Sequence, residues 1–155
     1  MAGELSHVDE QGKARMVDVS GKPSQLRIAR ASGAIVVAPD TIALIRDNQI
    51  AKGDVLTVAR IAGISAAKRT AELIPLCHTF SLDQVEVECT LAKDRVVITG
   101  TARCIGRTGV EMEALTAVSV AALTVYDMCK AVDKSMVITD VKLDSKEKLP
   151  VPGNG

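Results

Sequence analysis

The ionisable side chains that could do chemistry fall at a few places. The stretch Gly106-Arg107-Thr108-Gly109-Val110-Glu111-Met112-Glu113 runs a glycine-framed turn straight into two carboxylates. Further along the same run stands Asp127-Met128-Cys129-Lys130. A turn leading into a helix presents free N–H groups, and the helix dipole favours an anion there. The same physics places Glu111 and Glu113 in a first turn without any function. Asp127 and Lys130 share one helical face with Lys134. On a solvated surface that is a charge ladder worth a few tenths of a kcal/mol. With tuned pKa values, a carboxylate–ammonium pair can also move protons. Cys77-His78 follows Pro75 on a turn between elements, where binding residues gather, although a lone histidine is more often structural. Lys52 precedes Gly53 and a helix start, and Lys68-Arg69 lies near that helix's far end. Taken singly, each has a plain structural reading.

Geometry adds one constraint. Glu113 and Asp127 are 14 residues apart, hence about 40° apart around a helix and about 21 Å apart along its axis. One small ligand cannot touch both on one subunit. If both are functional, they serve the ends of a long substrate or meet across a subunit interface.

The elements that must position these residues follow from periodicity. Residues 1–15 are polar and read as an extended or mobile arm. Gln25 to Val37 reads as a strand, and Pro39-Asp40 opens a short helix. Asp54 is a good N-cap for a helix running from Val55 to about Ala71, lined by Ala59, Ala62, Ala66 and Ala67. Pro75 stops any continuation. From Gln84, Val85, Val87, Cys89 and Leu91 alternate with Gln84, Glu86, Glu88 and Thr90. The alternation resumes at Val96, Ile98, Gly100, Ala102 and Cys104, which makes a hairpin with one wet face. A long helix is expected from Val110 to about Lys134, then a last strand from Met136 to Leu143 and a disordered tail over 147–155. Strand, helices, strand, strand, long helix, strand is the ferredoxin-like βαββαβ order, an α+β fold with helices on one face of an antiparallel sheet. The expected catalytic domain spans 16–146. Its open sheet face would leave apolar area for partner subunits.

Composition narrows the function classes. At 155 residues, with 47% apolar and 25% charged side chains, the chain fits one globular domain with a real core. Lys plus Arg equals Asp plus Glu at 19 each, which argues against general nucleic-acid binding. No apolar run approaches the ~20 residues of a membrane span, and no signal-peptide core is present; a cytoplasmic protein is expected. The chain has one Phe, one Tyr and no Trp, so a heterocyclic ligand would be held by hydrogen bonds and charge rather than by stacking. Cys77, Cys89, Cys104 and Cys129 show no C-x-x-C spacing, and His7 and His78 are the only histidines. No structural zinc site is expected, and three of the four thiols are expected to be reduced and mostly buried.

Several stretches taken together resemble one family. Leu5-Ser6-His7-Val8-Asp9, Met16-Val17-Asp18-Val19-Ser20, Lys52-Gly53-Asp54-Val55, Ala59-Arg60-Ile61-Ala62-Gly63-Ile64, Ala66-Ala67-Lys68-Arg69-Thr70, Leu73-Ile74-Pro75-Leu76-Cys77-His78, and Gly106-Arg107-Thr108-Gly109 through Asp127-Met128-Cys129-Lys130 are similar to the cyclic pyranopterin monophosphate synthase family, the molybdenum cofactor biosynthesis protein C family. The similarity runs from about Leu5 to Leu143. It implies conversion of 3′,8-cyclo-7,8-dihydro-GTP to cyclic pyranopterin monophosphate with release of pyrophosphate. It implies Asp127, Lys130 and Lys52 as catalytic, and Leu76, Cys77, His78, Met112 and Glu113 as substrate contacts. It also implies a homohexamer, a trimer of dimers with active sites at subunit interfaces.

The residue types suit that chemistry. Remaking a purine ring into a pterin needs proton transfers. Forming a cyclic phosphate with loss of pyrophosphate needs cations on a triphosphate, a role for Lys52, Lys68, Arg69 and Lys130. Glu111 stays ambiguous between helix cap and site. Mg²⁺ accompanying the phosphates, held through few carboxylates and water, stays open. Two departures from the family pattern stand out. Thr79-Phe80 replaces the usual Pro-Leu after Cys77-His78. Asp144-Ser145-Lys146-Glu147-Lys148 replaces a Gly- and Lys-rich segment, leaving Lys146 as a candidate phosphate contact. The alternative function is a non-catalytic nucleotide-binding or assembly subunit of the same fold.

Overall fold

The computed structural model describes Gly3 and residues 5–153; Met1, Ala2 and Glu4 of the expected arm and Asn154-Gly155 of the expected tail lie outside the described residues. The chain runs β1 (Gln25–Val36), α1 (Pro39–Arg46), α2 (Val55–Ala67), α3 (Thr70–Leu73), β2 (Gln84–Leu91), β3 (Arg95–Gly106), α4 (Glu111–Cys129) and β4 (Val137–Leu149). The strands form one sheet in the order β2-β3-β1-β4, each neighbour antiparallel. This is the expected ferredoxin-like α+β arrangement.

Alternation sets which face is dry. Ala29, Ala31, Gly33 and Ile35 of β1 pair with Ala102, Gly100, Ile98 and Val96 of β3, and all eight are buried. Against them lie Ala114, Ala117, Val118, Ala121, Ala122 and Val125 of α4, each with no exposed surface. With almost no aromatic residues, this core gains density from close approach rather than from bulky side chains. α4 also packs along α2. There a Cβ on Gly63 would sit 2.8 Å from the Ala117 carbonyl oxygen and 3.1 Å from Val87. By length and hydropathy α4 would pass for a membrane span, contrary to the expectation that no apolar run approaches one. Just over half of it (56%) is buried inside the fold, as the core helix of this layer.

Several boundaries differ from expectation, each for a local reason. α2 stops at Ala67 rather than near Ala71, because the Thr70 hydroxyl donates to the carbonyls of Ala66 and Ala67 and starts the separate turn α3. α4 stops at Cys129 rather than near Lys134. Both Val132 and Asp133 N–H turn back to the Cys129 carbonyl, and the Asp133 side chain is captured by α1. Its carboxylate accepts from Ala38 N–H, the Thr41 hydroxyl, Ser135 N–H and the Ser135 hydroxyl at 2.8–2.9 Å. Burial alone would raise its pKa; those donors outweigh it and hold the group at about 2. Lys134 therefore leaves the predicted charge ladder and donates to the Lys130 carbonyl at 2.6 Å.

β4 continues six residues past Leu143. Register shifts opposite Arg30/Ala31 and Ser32/Ala34, with Asp140 at φ 58°, absorb the broken alternation that reads as a strand end. The predicted disordered tail is corrected in part: Glu147, Lys148 and Leu149 pair with Ile28, Arg27 and Leu26. The predicted mobile arm is also partly corrected. Residues 7–15 close a small hairpin in which Arg15 N–H donates to the His7 carbonyl and the Asp9 carboxylate accepts from Gln11 and Lys13 N–H. All four cysteines are free, with Cys104 and Cys129 buried and Cys77 and Cys89 partly buried, in line with mostly buried thiols.

Gly63→Ala should force α2 away from the Ala117 backbone. We expect a loss of about 1–3 kcal/mol in a denaturant melt, with the sheet signature in circular dichroism retained.

Candidate active site

Lys146 stands apart on β4, and most of the predicted residues fall into two groups at opposite ends of α4. At its N-terminal end a cavity of about 250 Å³ is lined by Leu76, Cys77, His78, Glu111, Met112 and Glu113, with Ser6, His7, Val17, Val19 and Lys22 forming another wall. α3 and Pro75 deliver the first three side chains: the chain leaves the helix at Ile74 and turns so that Cys77 N–H meets the Ile74 carbonyl. The first turn of α4 delivers the acids.

Glu113 is 6% exposed. Burial pushes its pKa up to about 7, and the neighbouring Glu111 charge adds to the rise. The carboxyl is thus balanced between acid and base near neutrality, as a proton-transfer group needs to be. The same burial, with Glu113 and Glu111 nearby, holds the Cys77 thiol above its ordinary value. Cys77 therefore lines the wall as a thiol favoured in its neutral form. His78 Nε2 lies 2.5 Å from the Val17 carbonyl oxygen.

Lys68 is exposed, beside a small recess it shares with His78 and Glu113. Arg69, exposed at the start of α3, lines none of the described cavities.

The C-terminal end of α4 holds the other group. Lys52, from the loop between α1 and α2, approaches Asp127 Oδ2 at 2.9 Å and the Asp127 carbonyl at 3.1 Å. Lys130 takes Oδ1 at 3.0 Å. Clamped by hydrogen bonds from both ammonium groups, Asp127 is held below the usual carboxylate range. It is an ionised anchor that presents two lysines together, with one positive charge in excess.

A third cluster gathers Lys146, expected from the sequence as a phosphate contact, with Arg27 and Lys148, which the sequence did not single out. Arg27 pairs across the sheet with Lys148, and Ala29 with Lys146. All three cations line a cavity of about 300 Å³ that also touches Gly109, Val110 and Glu111. Arg27 Nε is buried with no partner among the described residues. Lys146 Nζ stands 3.5 Å from Glu111 Oε1. The Glu111 carboxylate folds back against Gly109, where any Cβ would collide with it. Glu111 is therefore a wall between the two cavities rather than only a cap. Nothing in the local pattern of Leu26-Arg27-Ile28 signals this; only the β1–β4 register does. Among the described residues, no three His, Cys, Asp or Glu side chains gather as metal ligands.

One consequence concerns stability. Glu113 is protonated in the native state up to about 7 but only up to its ordinary value near 4.5 when unfolded. Between those values the unfolded chain binds fewer protons, so stability falls as pH rises through that window. The drop should be on the order of 2–3 kcal/mol. Glu113→Gln should flatten it, as read from chemical melts at pH 4.5, 6 and 8.

Comparison with known proteins places this geometry in context. The MoaC family profile matches residues 16–148. The chain is 64% identical over 145 residues to Molybdenum cofactor biosynthesis protein 1 of Drosophila melanogaster, covering 92% of this chain but 26% of that longer protein. It is 61% identical over 143 residues to Cyclic pyranopterin monophosphate synthase 1 of Mycobacterium bovis, covering 92% of this chain and 84% of that protein. Identity is again 61%, over 142 residues and the same shares, to Cyclic pyranopterin monophosphate synthase of Streptomyces coelicolor. With the family match spanning nearly the whole sheet and both ends of α4, the chain belongs to the MoaC family.

Proposed function

We propose that this chain is a cyclic pyranopterin monophosphate synthase. It takes 3′,8-cyclo-7,8-dihydro-GTP, rearranges the purine to a pterin and closes a cyclic phosphate with release of pyrophosphate. The observation that carries the reading is the pairing of two chemically opposite sites on one helix. Glu113 and His78 form a half-buried proton-transfer pocket at one end of α4. Lys52 and Lys130 form an exposed dication on Asp127 at the other.

Ring opening and reclosure move protons between carbon, nitrogen and oxygen. Glu113, neutral up to about 7, can hold or release a proton at the ring. With few aromatic residues, the ring is gripped by Glu113, His78 and backbone groups beside Leu76 and Met112. Cyclic phosphate formation puts developing negative charge on the departing pyrophosphate. Fixed ammonium groups stabilise that charge more in the transition state than in the ground state. Lys52 and Lys130 supply this, and Arg27, Lys146 and Lys148 offer a further anion slot beside the ring pocket. Lys68 borders the recess at His78 and Glu113, where it can meet a phosphate; Arg69 adds positive charge nearby. Any Mg²⁺ would arrive on the triphosphate. A non-catalytic nucleotide-binding or assembly subunit would need neither the doubly clamped Asp127 nor a carboxyl tuned to neutrality.

The two ends of α4 lie about 21 Å apart along the helix, too far for one substrate held by one subunit. We infer that a second copy completes each site, within a hexamer built as a trimer of dimers. Val58, Ile61, Leu123 and Tyr126 are exposed on α2 and α4, as a subunit contact requires.

Two measurements test the reading. Asp127→Asn should lower pyrophosphate release from the cyclised nucleotide at least 10²-fold. The melting curve should barely move, because exposed ion pairs contribute little stability. Undiminished turnover would remove Asp127 from the mechanism. Light scattering at micromolar concentration should give the mass of six chains, and mixing inactive Glu113→Gln with inactive Asp127→Asn chains should restore part of the activity. A monomeric mass would rule out the shared site.

A further inference from the structure

His78 is common to three adjoining recesses: the cavity at Glu113, the small recess at Lys68, and a third of about 320 Å³ bordered by Ser24, Thr79, Arg107 and Thr108. Its only described hydrogen-bond partner is the Val17 carbonyl oxygen, 61 residues away in sequence. A carbonyl can only accept, so Nε2 must carry the proton in this contact. The neutral ring is then the Nε2–H tautomer, and Nδ1 keeps its lone pair.

The segment that delivers this carbonyl takes no part in the sheet, yet its shape is defined. Asp18 Oδ1 accepts from Ser20 N–H at 2.9 Å, and Lys22 N–H donates to the Val19 carbonyl at 3.0 Å. Upstream, the hairpin about Asp9 closes the arm on itself. Between these turns the segment sets Val17, Val19 and Lys22 on the cavity wall. Half-buried Val17 and Val19 alternate with exposed Asp18 and Ser20, so this short stretch lies against the domain like an unpaired strand.

We propose that residues 16–22 form a positioning strap for the active site, in which the Val17 carbonyl holds His78 as its Nε2–H tautomer and so makes Nδ1 the nitrogen that exchanges a proton with the substrate. The identity of that substrate rests on the synthase reading; the tautomer does not. Val17 is a positioning residue, since it acts only through His78. Without the strap the ring would sample both tautomers and rotate about χ2. A catalytic nitrogen misplaced by an ångström forfeits much of its rate contribution.

The chain has two histidines, His7 and His78, so the ring signals of the full-length, ¹⁵N-histidine-labelled protein can be assigned with one His7→Gln variant. We expect a single His78 tautomer, with Nδ1 bare and an Nε2–H proton protected from water exchange. A ring protonated at Nδ1 alone, or the fast-averaged shifts of free imidazole, would overturn the proposal. Two exposed substitutions then test the strap. Asp18→Ala removes the acceptor that shapes the turn at Ser20, whereas Asp18→Asn keeps an oxygen in that place. The alanine variant should move the His78 shifts toward the free-imidazole average and lower kcat about tenfold, with KM changed less than about twofold. The asparagine variant should restore the single-tautomer signature. If both variants lose it equally, or the alanine variant keeps it, the turn at Asp18 does not set the ring. Failure of the parent protein to turn over the cyclised nucleotide would count against the synthase reading alone, because the tautomer is read without substrate.

Discussion

The close seating of α4 is the contact on which the rest of the molecule depends. The helix carries Glu113 near one end and Asp127 near the other, and it lies on the sheet only because small residues let backbones approach. Ala114, Ala117, Ala121 and Ala122 face the buried positions. A Cβ on Gly100 would stand 3.0 Å from Val118 and 3.2 Å from the Ala114 carbonyl. α2 closes the other side at Gly63. A core of aromatic side chains would hold the helix further off and lift both groups from the elements that meet them. Lys52 and the loop at His78 come from outside α4, so a shift of an ångström in its seating alters both ends together.

Around that axis the electrostatics divide cleanly. Glu113 is buried with no ion-pair partner among the described residues and is driven toward its neutral form, whereas Asp127 is exposed between two ammonium groups and is driven toward its charged form. Two carboxylates on one helix thereby settle toward opposite charge states, set by environment. Cations cluster at Lys52 and Lys130 and at Arg27, Lys146 and Lys148, while the cavity at Glu113 combines two acids and apolar walls with His7, His78 and a single lysine, Lys22. Asp133 ties the end of α4 to the start of α1 and so holds Lys130 and the Lys52 loop within reach of one another.

Much of the fold was legible because it rests on local physics. Alternation in β2 and β3 identified the dry face, Asp54 announced α2 and does accept from Thr57 N–H, and Pro39 opened α1. The misjudged boundaries were those decided from a distance. α4 ends where Asp133 is captured by residues more than ninety positions away. β4 continues because β1 goes on pairing through two register shifts, which no alternation in β4 itself records. The hairpin in the arm depends on Asp9 bonding to its own neighbours, a turn chemistry easily read as mere polarity.

By itself the sequence determined the order of elements, the aliphatic core and the residue types of the chemistry: two acids at a helix start, an aspartate three residues before a lysine, and a histidine after a proline. These follow from periodicity and near-neighbour sterics, which act over a few residues. Only the tertiary structure decided which of them meet. It drew Lys52 onto Asp127, sank Glu113 far enough to move its pKa to about 7, set Arg27 beside Lys148, and laid Val17 against His78. Desolvation and hydrogen bonding depend on what lies within a few ångströms, and that neighbourhood is assembled from chain segments tens of residues apart.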